Sequence, residues 1–141
     1  MIRLNEWNEN NWSCSCSHKI QEQFFCVQRG EHKYDYLSYK FEFPGGKLEN
    51  NEKPKEALIR EIREELDYSI KVGKKLVTVD HQYPHFQLRM SAYLCHASDT
   101  NFVLKEHVQH KWMERKQLMN LDWAAADIPI VQMLVDTDLN S

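Results

Sequence analysis

Three glutamates, Glu61, Glu64 and Glu65, lie three and four residues apart in a stretch rich in Ala, Leu, Ile and Arg. Residues at those spacings share one face of a helix, and these would span about 100° of its circumference beside an apolar stripe of Leu58, Ile62 and Leu66. Like charges so placed repel one another. The face therefore suits a hard divalent cation, since Mg²⁺ takes carboxylate oxygens and keeps its other positions for water and phosphate. Taken alone, the cluster also reads as an ordinary solvated glutamate-rich surface.

Other residue sets carry less chemistry. The cysteines Cys14, Cys16, Cys26 and Cys95 show no C-x-x-C spacing, so reduced thiols packed as small hydrophobes are expected. His107 and His110 form the closest histidine pair, in a segment that reads as a loop, and solvated loop histidines are expected there. Glycine is scarce, with 4 in the chain. Two of these, Gly45 and Gly46, follow Pro44 directly and mark a tight break.

The elements that must position these residues follow from periodicity. Residues 54–66 contain no Gly, carry Leu58, Ile59, Ile62 and Leu66 at helical spacing and open with Pro54, which suits a first helical position, so a helix is predicted there. Phe24 to Gln28 reads as a clear strand and Trp12 to Ile20 as a weak, polar one. Gly30 to Tyr39 reads as a loop, and Phe41-Glu42-Phe43 alternates before the Pro-Gly-Gly break. Ile70 to Val79, Gln87 to His96 and Lys111 to Met113 read as strands, and Ile130 to Val135, after Pro129, as a C-terminal helix. Strands, helix, strands, helix is an α+β order rather than a βαβ repeat.

The wider spacing is specific. Gly46 is followed by Glu52 and then by Arg60-Glu61-Ile62-Arg63-Glu64-Glu65, within GKLENNEKPKEALIREIREELDY. This resembles the Nudix signature, G-x5-E-x7-R-E-U-x-E-E-x-G-U, with U bulky and apolar. Asp67 replaces the second Gly, and Tyr68 supplies the last bulky residue. That Gly ends the helix in the left-handed conformation, which Asp tolerates better than most residues. Phe41 to Lys47 is similar to the FPGGK segment of MutT-type members, Lys105-Glu106 and Trp112 resemble their late loop, and DWAAADIPIV resembles the segment before their last helix. The resemblance runs from about Phe24 to Leu134.

That resemblance implies a Nudix-like α/β/α sandwich, with a mixed sheet, a catalytic helix at about 54–66 and a C-terminal helix, in one domain over residues 1–141. Residues 1–11 read as a loose arm. It implies hydrolysis of a nucleoside triphosphate to monophosphate and pyrophosphate, with Mg²⁺ or Mn²⁺ held by Glu61, Glu64, Glu65, the Gly45 carbonyl and Glu106. Glu106 is either a further ligand or the base. Gly46, Glu52 and Arg60 would hold loop and helix together. Arg29 and Lys47 are candidates for the triphosphate, although Arg29 reads equally as a surface charge at a strand end. Asp127 stands where an Asn reads the base in MutT-like sequences, and it also reads as a helix N-cap. Phe86, Phe43 and Tyr83 would supply stacking surface, or core. The alternatives are a nucleotide sugar or dinucleotide as substrate, or a nucleotide-sensing module without turnover.

The bulk properties bound the remaining choices. With 141 residues, 18 Lys+Arg against 21 Asp+Glu, 42% hydrophobic and 28% charged residues, the chain fits one globular domain. The acidic balance argues against a duplex nucleic-acid partner, and no apolar run is long enough for a membrane span. A cytoplasmic monomer or weak homodimer that binds a small-molecule nucleotide is the expectation.

Overall fold

The computed structural model describes residues 11–18 (as backbone), 23–49 and 51–136. Seven strands are described: β1 (Asn11–His18), β2 (Gln23–Gln28), β3 (Phe41–Glu42), β4 (Gly45–Lys47), β5 (Lys71–Gln82), β6 (Gln87–Ala97) and β7 (Gln109–Glu114). They form one mixed sheet in the order β3-β2-β1-β6-β5, with β4 paired to β1 and β7 to β2. Only β1 and β6 run parallel; the other pairs are antiparallel. The weak polar strand read over 12–20 thus occupies the middle of the sheet, because its backbone pairs with β6 on one side and with β2 and β4 on the other. The expected loose arm falls outside the described residues, apart from Asn11, which opens β1.

The predicted catalytic helix is α1 (Pro54–Leu66), and the C-terminal one is α2 (Ile128–Asp136). Pro54 starts α1, and the Lys53 amide donates to the Glu56 carboxylate, the return half of a capping box. The end is set by Asp67 in the left-handed conformation (φ 49°, ψ 42°), whose N–H returns to the Arg63 carbonyl. A carboxylate side chain thus fills a position that glycine usually takes.

Strand alternation divides the interior. Phe24 and Cys26 of β2 join Leu88, Met90, Ile130 and Leu134 on the α2 side. Phe25 and Val27 join Leu58, Ile62, Leu66 and Cys95 on the α1 side. A sheet covered on both faces is an α/β/α sandwich, and its buried β2 reads as a continuous apolar run for that reason. Cys26 is a buried thiol outside any disulfide and donates to the Phe24 carbonyl. Cys95, also buried, is disulfide-bonded, contrary to the expectation of reduced thiols. Among the described residues, no helix is long and apolar enough to cross a membrane.

Candidate active site

The face of α1 is organised around Arg60. Its guanidinium grips Glu52 bidentately (Nε–Oε2 2.7 Å, Nη2–Oε1 2.9 Å) and donates to the Lys47 carbonyl at 3.1 Å. Glu52 also accepts the Glu49 amide. The Arg60 hydrogen bonds hold Glu52 below the usual carboxylate range. One planar fork therefore ties the loop after β4 to the helix. The same guanidinium turns Nη1 toward Glu61 Oε1 (3.0 Å) and Glu64 Oε2 (3.1 Å), partly offsetting two of the three helix carboxylates.

Glu61 lies under the glycine loop. It is buried, and its Oε2 has no hydrogen-bond partner among the described residues. Burial, reinforced by the charge of Glu64, raises its pKa. A Cβ at residue 46 would overlap the Glu61 carboxyl, so glycine there is a requirement of close approach. Gly46→Ala is accordingly expected to push the Glu61 side chain aside and weaken Mn²⁺ binding about tenfold or more, in the range for residues that orient metal ligands. Calorimetric titration of Mn²⁺ checks this, and an unchanged affinity would separate Glu61 from any metal.

Glu65, also buried, shares a hydrogen bond with Glu106 and is pushed up to about 7, by burial first and then by the Glu106 charge. A carboxyl that burial and a neighbouring carboxylate bias toward its protonated form occupies a place where a cation could replace that proton. Among the described residues, no three His, Cys, Asp or Glu side chains converge as a formed metal cluster. Arg60 accounts for this, since Glu61 and Glu64 are turned to its Nη1. The donor set still fits Mg²⁺: hard oxygens only, one of them orphaned, beside the buried backbone of Gly45 and Gly46 at the start of β4.

A second group, far apart in sequence, meets below the loop. Arg29 is 4% exposed, so it is a buried cation rather than a surface strand-end charge. Its Nε donates to Glu42 Oε1 at 2.6 Å, and His107 Nε2 lies 3.1 Å from Glu42 Oε2. Burial alone would raise the Glu42 pKa, but Arg29 and then His107 bring it down to about 2. His107 is thus a buried partner of a carboxylate, not a solvated loop histidine, because the acid on β3 draws its ring inward. His110 is exposed as expected, but it lies in β7 rather than in a loop.

Asp127 lies beside this group because residues 122–124 run along β3, with the Phe41 and Ala124 amides donating to the Asp122 and Phe41 carbonyls. Asp127 Oδ1 accepts the Phe43 amide at 3.1 Å. Burial, and then the Glu42 charge, raises its pKa well above the usual 3.8. Tyr83 accepts the Ala126 amide on its hydroxyl and packs on Phe86 at 5.0 Å, while Phe43 packs on Trp123 at 4.6 Å. Phe43, Tyr83 and Phe86 are all buried, and Lys47 is half-buried at the loop edge. Glu61, Glu64 and Glu65 thus line α1 with Glu106 beside Glu65, while Arg29, Glu42 and Asp127 meet next to Phe43, with residues 44–47 between the two groups.

Two residues of this assembly were missed from sequence, Glu42 and His107. The available signal for Glu42 was an acid between two aromatic residues in an alternating run, on a strand too short to be solvated on either face. His107 offered none.

A family model described as NUDIX domain matches residues 17–133. The chain belongs to that family. Within it the chain is MutT-like. An 8-oxo-dGTP diphosphatase of Proteus vulgaris is 44% identical over 38% of this chain and 48% of its own length, so this chain spans about half of that relative. A CTP pyrophosphohydrolase of Escherichia coli (strain K12) is 30% identical over 65% of this chain and 68% of its own length. The solution structure of MutT (family Nudix hydrolase) from methicillin-resistant Staphylococcus aureus 252 is 34% identical, covers 94% of this chain and 98% of that one, and superimposes with a TM-score of 0.70. The sandwich described for this NUDIX domain is therefore the family's fold, and the glutamate-bearing helix α1 is its signature segment.

Proposed function

We propose that this NUDIX domain hydrolyses a nucleoside triphosphate to a nucleoside monophosphate and pyrophosphate, using Mg²⁺ or Mn²⁺. The observation that carries the reading is the buried Glu65 carboxyl, pushed up to about 7 by burial and by Glu106, on the same helix face as the orphaned Glu61 oxygen. When bound there, a divalent ion would polarise the phosphoryl oxygens and lower the pKa of an attacking water. Glu61, Glu64, Glu65, Glu106 and the Gly45 carbonyl would hold it. Phosphoryl transfer needs positioning and charge neutralisation more than covalent catalysis, and Lys47 at the loop edge supplies positive charge on the substrate side, whereas the Arg29 charge is taken up by Glu42. Glu106, exposed at the rim, can take a proton from water.

Asp127 reads the base. Phe43 N–H marks Oδ1 as the unprotonated oxygen, so the neutral acid that burial favours has its donor on Oδ2. That acceptor and donor, in fixed order, match a ring nitrogen beside an exocyclic amine, as in cytosine. Thymine presents the reverse order along that edge. Phe43 and Phe86 provide apolar surface near this group. In an initial-rate comparison of CTP, dCTP, 5-substituted dCTP, 8-oxo-dGTP, dATP and dTTP, amine-bearing bases are expected to exceed dTTP by about tenfold in kcat/KM, the cost of one mismatched buried polar contact. Asp127→Asn, which keeps an acceptor and a donor, should preserve that order, and Asp127→Leu should flatten it. Equal rates on dCTP and dTTP in the wild-type protein would remove Asp127 as the reader. Absence of pyrophosphate release on every nucleotide would remove the activity.

A further inference from the structure

Glu106 is exposed and sits between two anchored neighbours. On one side, Lys105 Nζ donates to the Glu64 carbonyl at 3.1 Å and lies 3.3 Å from Asp67 Oδ1, at the C-terminal end of α1. There a cation meets the unpaired carbonyls and the negative end of the helix. Asp67 strengthens the contact, and it stands at the one signature position where this chain departs from its family. On the other side, the His107 ring is buried against Glu42, whose second oxygen is held by Arg29. Glu42 is ionised and therefore accepts only, so His107 Nε2 carries the proton and donates. His107 Nδ1 is left without a partner among the described residues. Backbone bonds complete the frame: the Val103 amide donates to Leu66 and the Val108 amide to Gln28.

The geometry points to Lys105 and His107 as positioning residues, a bracket that sets the Glu106 carboxyl against Glu65. Lys105 ties the loop to the helix that bears Glu61, Glu64 and Glu65. His107 ties it to the strand residue that leads directly into Phe43, Pro44 and the Gly45–Gly46 turn. The carboxylates contributed by the loop and the helix, and the carbonyl contributed by the turn, are thereby held in one register by two side chains that touch neither metal nor nucleotide. The bracket rests on the reading of Glu65 and Glu106 as metal ligands and goes beyond it, because neither Lys105 nor His107 belongs to that ligand set.

The test depends on reach rather than charge. Glutamine can carry an amide nitrogen about as far from the backbone as His107 Nε2, whereas asparagine carries it only to the place of Nδ1. Neither titrates. His107→Asn is expected to weaken Mn²⁺ binding, measured by calorimetry without nucleotide, about tenfold. It should lower kcat by a similar factor with little change in KM. His107→Gln is expected to recover both to within about twofold of wild type. Because the bracket acts through Glu106, the loss caused by His107→Asn should largely vanish in a Glu106→Gln background. Lys105→Met, at an exposed position that leaves the core intact, should give a smaller loss of Mn²⁺ affinity, about threefold, which Glu106→Gln also removes. This variant decides the matter if His107→Asn does not fold. The bracket is overturned if the Gln and Asn variants behave alike, if their effects add in full to that of Glu106→Gln, or if Lys105→Met binds Mn²⁺ as wild type does. Wild-type protein that fails to bind Mn²⁺ would overturn both the bracket and the metal-site reading. Wild-type protein that binds Mn²⁺ and turns nucleotide over, with variants that behave alike, would overturn the bracket alone.

Discussion

Glu65→Gln is expected to lower kcat for pyrophosphate release by about 10²–10³-fold, the several kcal/mol that a correctly held divalent ion contributes to phosphoryl chemistry. Glu65 is the buried member of the carboxyl pair, and it is already pushed up to about 7 by its burial and by Glu106. A site that favours a proton on this carboxyl in the metal-free protein is one where a cation has most repulsion to relieve. The glutamine amide can donate to Glu106 as a protonated Glu65 carboxyl would, so the metal-free fold should survive. The thermal midpoint without metal should stay within a few degrees of wild type, while the stabilisation that Mg²⁺ gives to wild type should be lost, since a ligand stabilises only the state that binds it. Pyrophosphate release that persists in this variant would move the metal site elsewhere. Loss of activity together with loss of fold would show a structural role instead.

Arg29→Leu is expected to cost about 3–5 kcal/mol of folding stability at pH 7, the usual penalty for leaving one member of a buried ion pair behind. Against a total of about 5–15 kcal/mol for a typical domain, that is a large share. Glu42 is 1% exposed, and Asp127 lies near enough for its own pKa to rise with the Glu42 charge. His107 alone would then face the Glu42 anion. The pH dependence has a definite sign. The folded pKa of Glu42 is about 2, below its ordinary 4.5, so its contribution to wild-type stability is complete above about pH 4.5 and is lost as pH falls toward 2. Without Arg29, burial dominates and Glu42 takes up its proton more readily. The gap between variant and wild type should therefore shrink on going from pH 7 to pH 4. Asp127 runs the other way: its pKa is raised, so its neutral form favours folding below that pKa, and this contribution fades as pH rises. Urea unfolding at the two pH values measures the gap. A gap that stays constant would mean that Arg29 does not hold the Glu42 charge.

Much of the α1 side was legible because its rules are local. Pro54, the apolar spacing of Leu58, Ile62 and Leu66, and the tolerance of Asp67 for a left-handed cap act within a turn or two of their own positions, and α1 spans the predicted residues. The glutamate stripe follows from the same 3.6-residue period, and the signature spacing from Gly46 to Tyr68 turned an ambiguous acidic face into a specific expectation. The reason for Gly46 was not legible, since it lies in the path of the Glu61 side chain.

The other half of the site was decided by tertiary structure alone. Arg29, Glu42 and His107 look like three unrelated polar residues, and Glu42 and His107 are 65 positions apart. Whether a charge is solvated or buried depends on which strand lies beside it and what covers the sheet, and no short-range pattern carries that information. The same holds for β1, whose weak alternation gave no hint of a central place in the sheet, and for Asp127, whose burial follows from the segment before α2 running along β3. Sequence by itself determined the helix, its carboxylates and the presence of the glycine pair, because hydrophobic period, capping and motif spacing are properties of neighbours in the chain. The sheet register alone decided which charges are buried together, because desolvation is a property of neighbours in space.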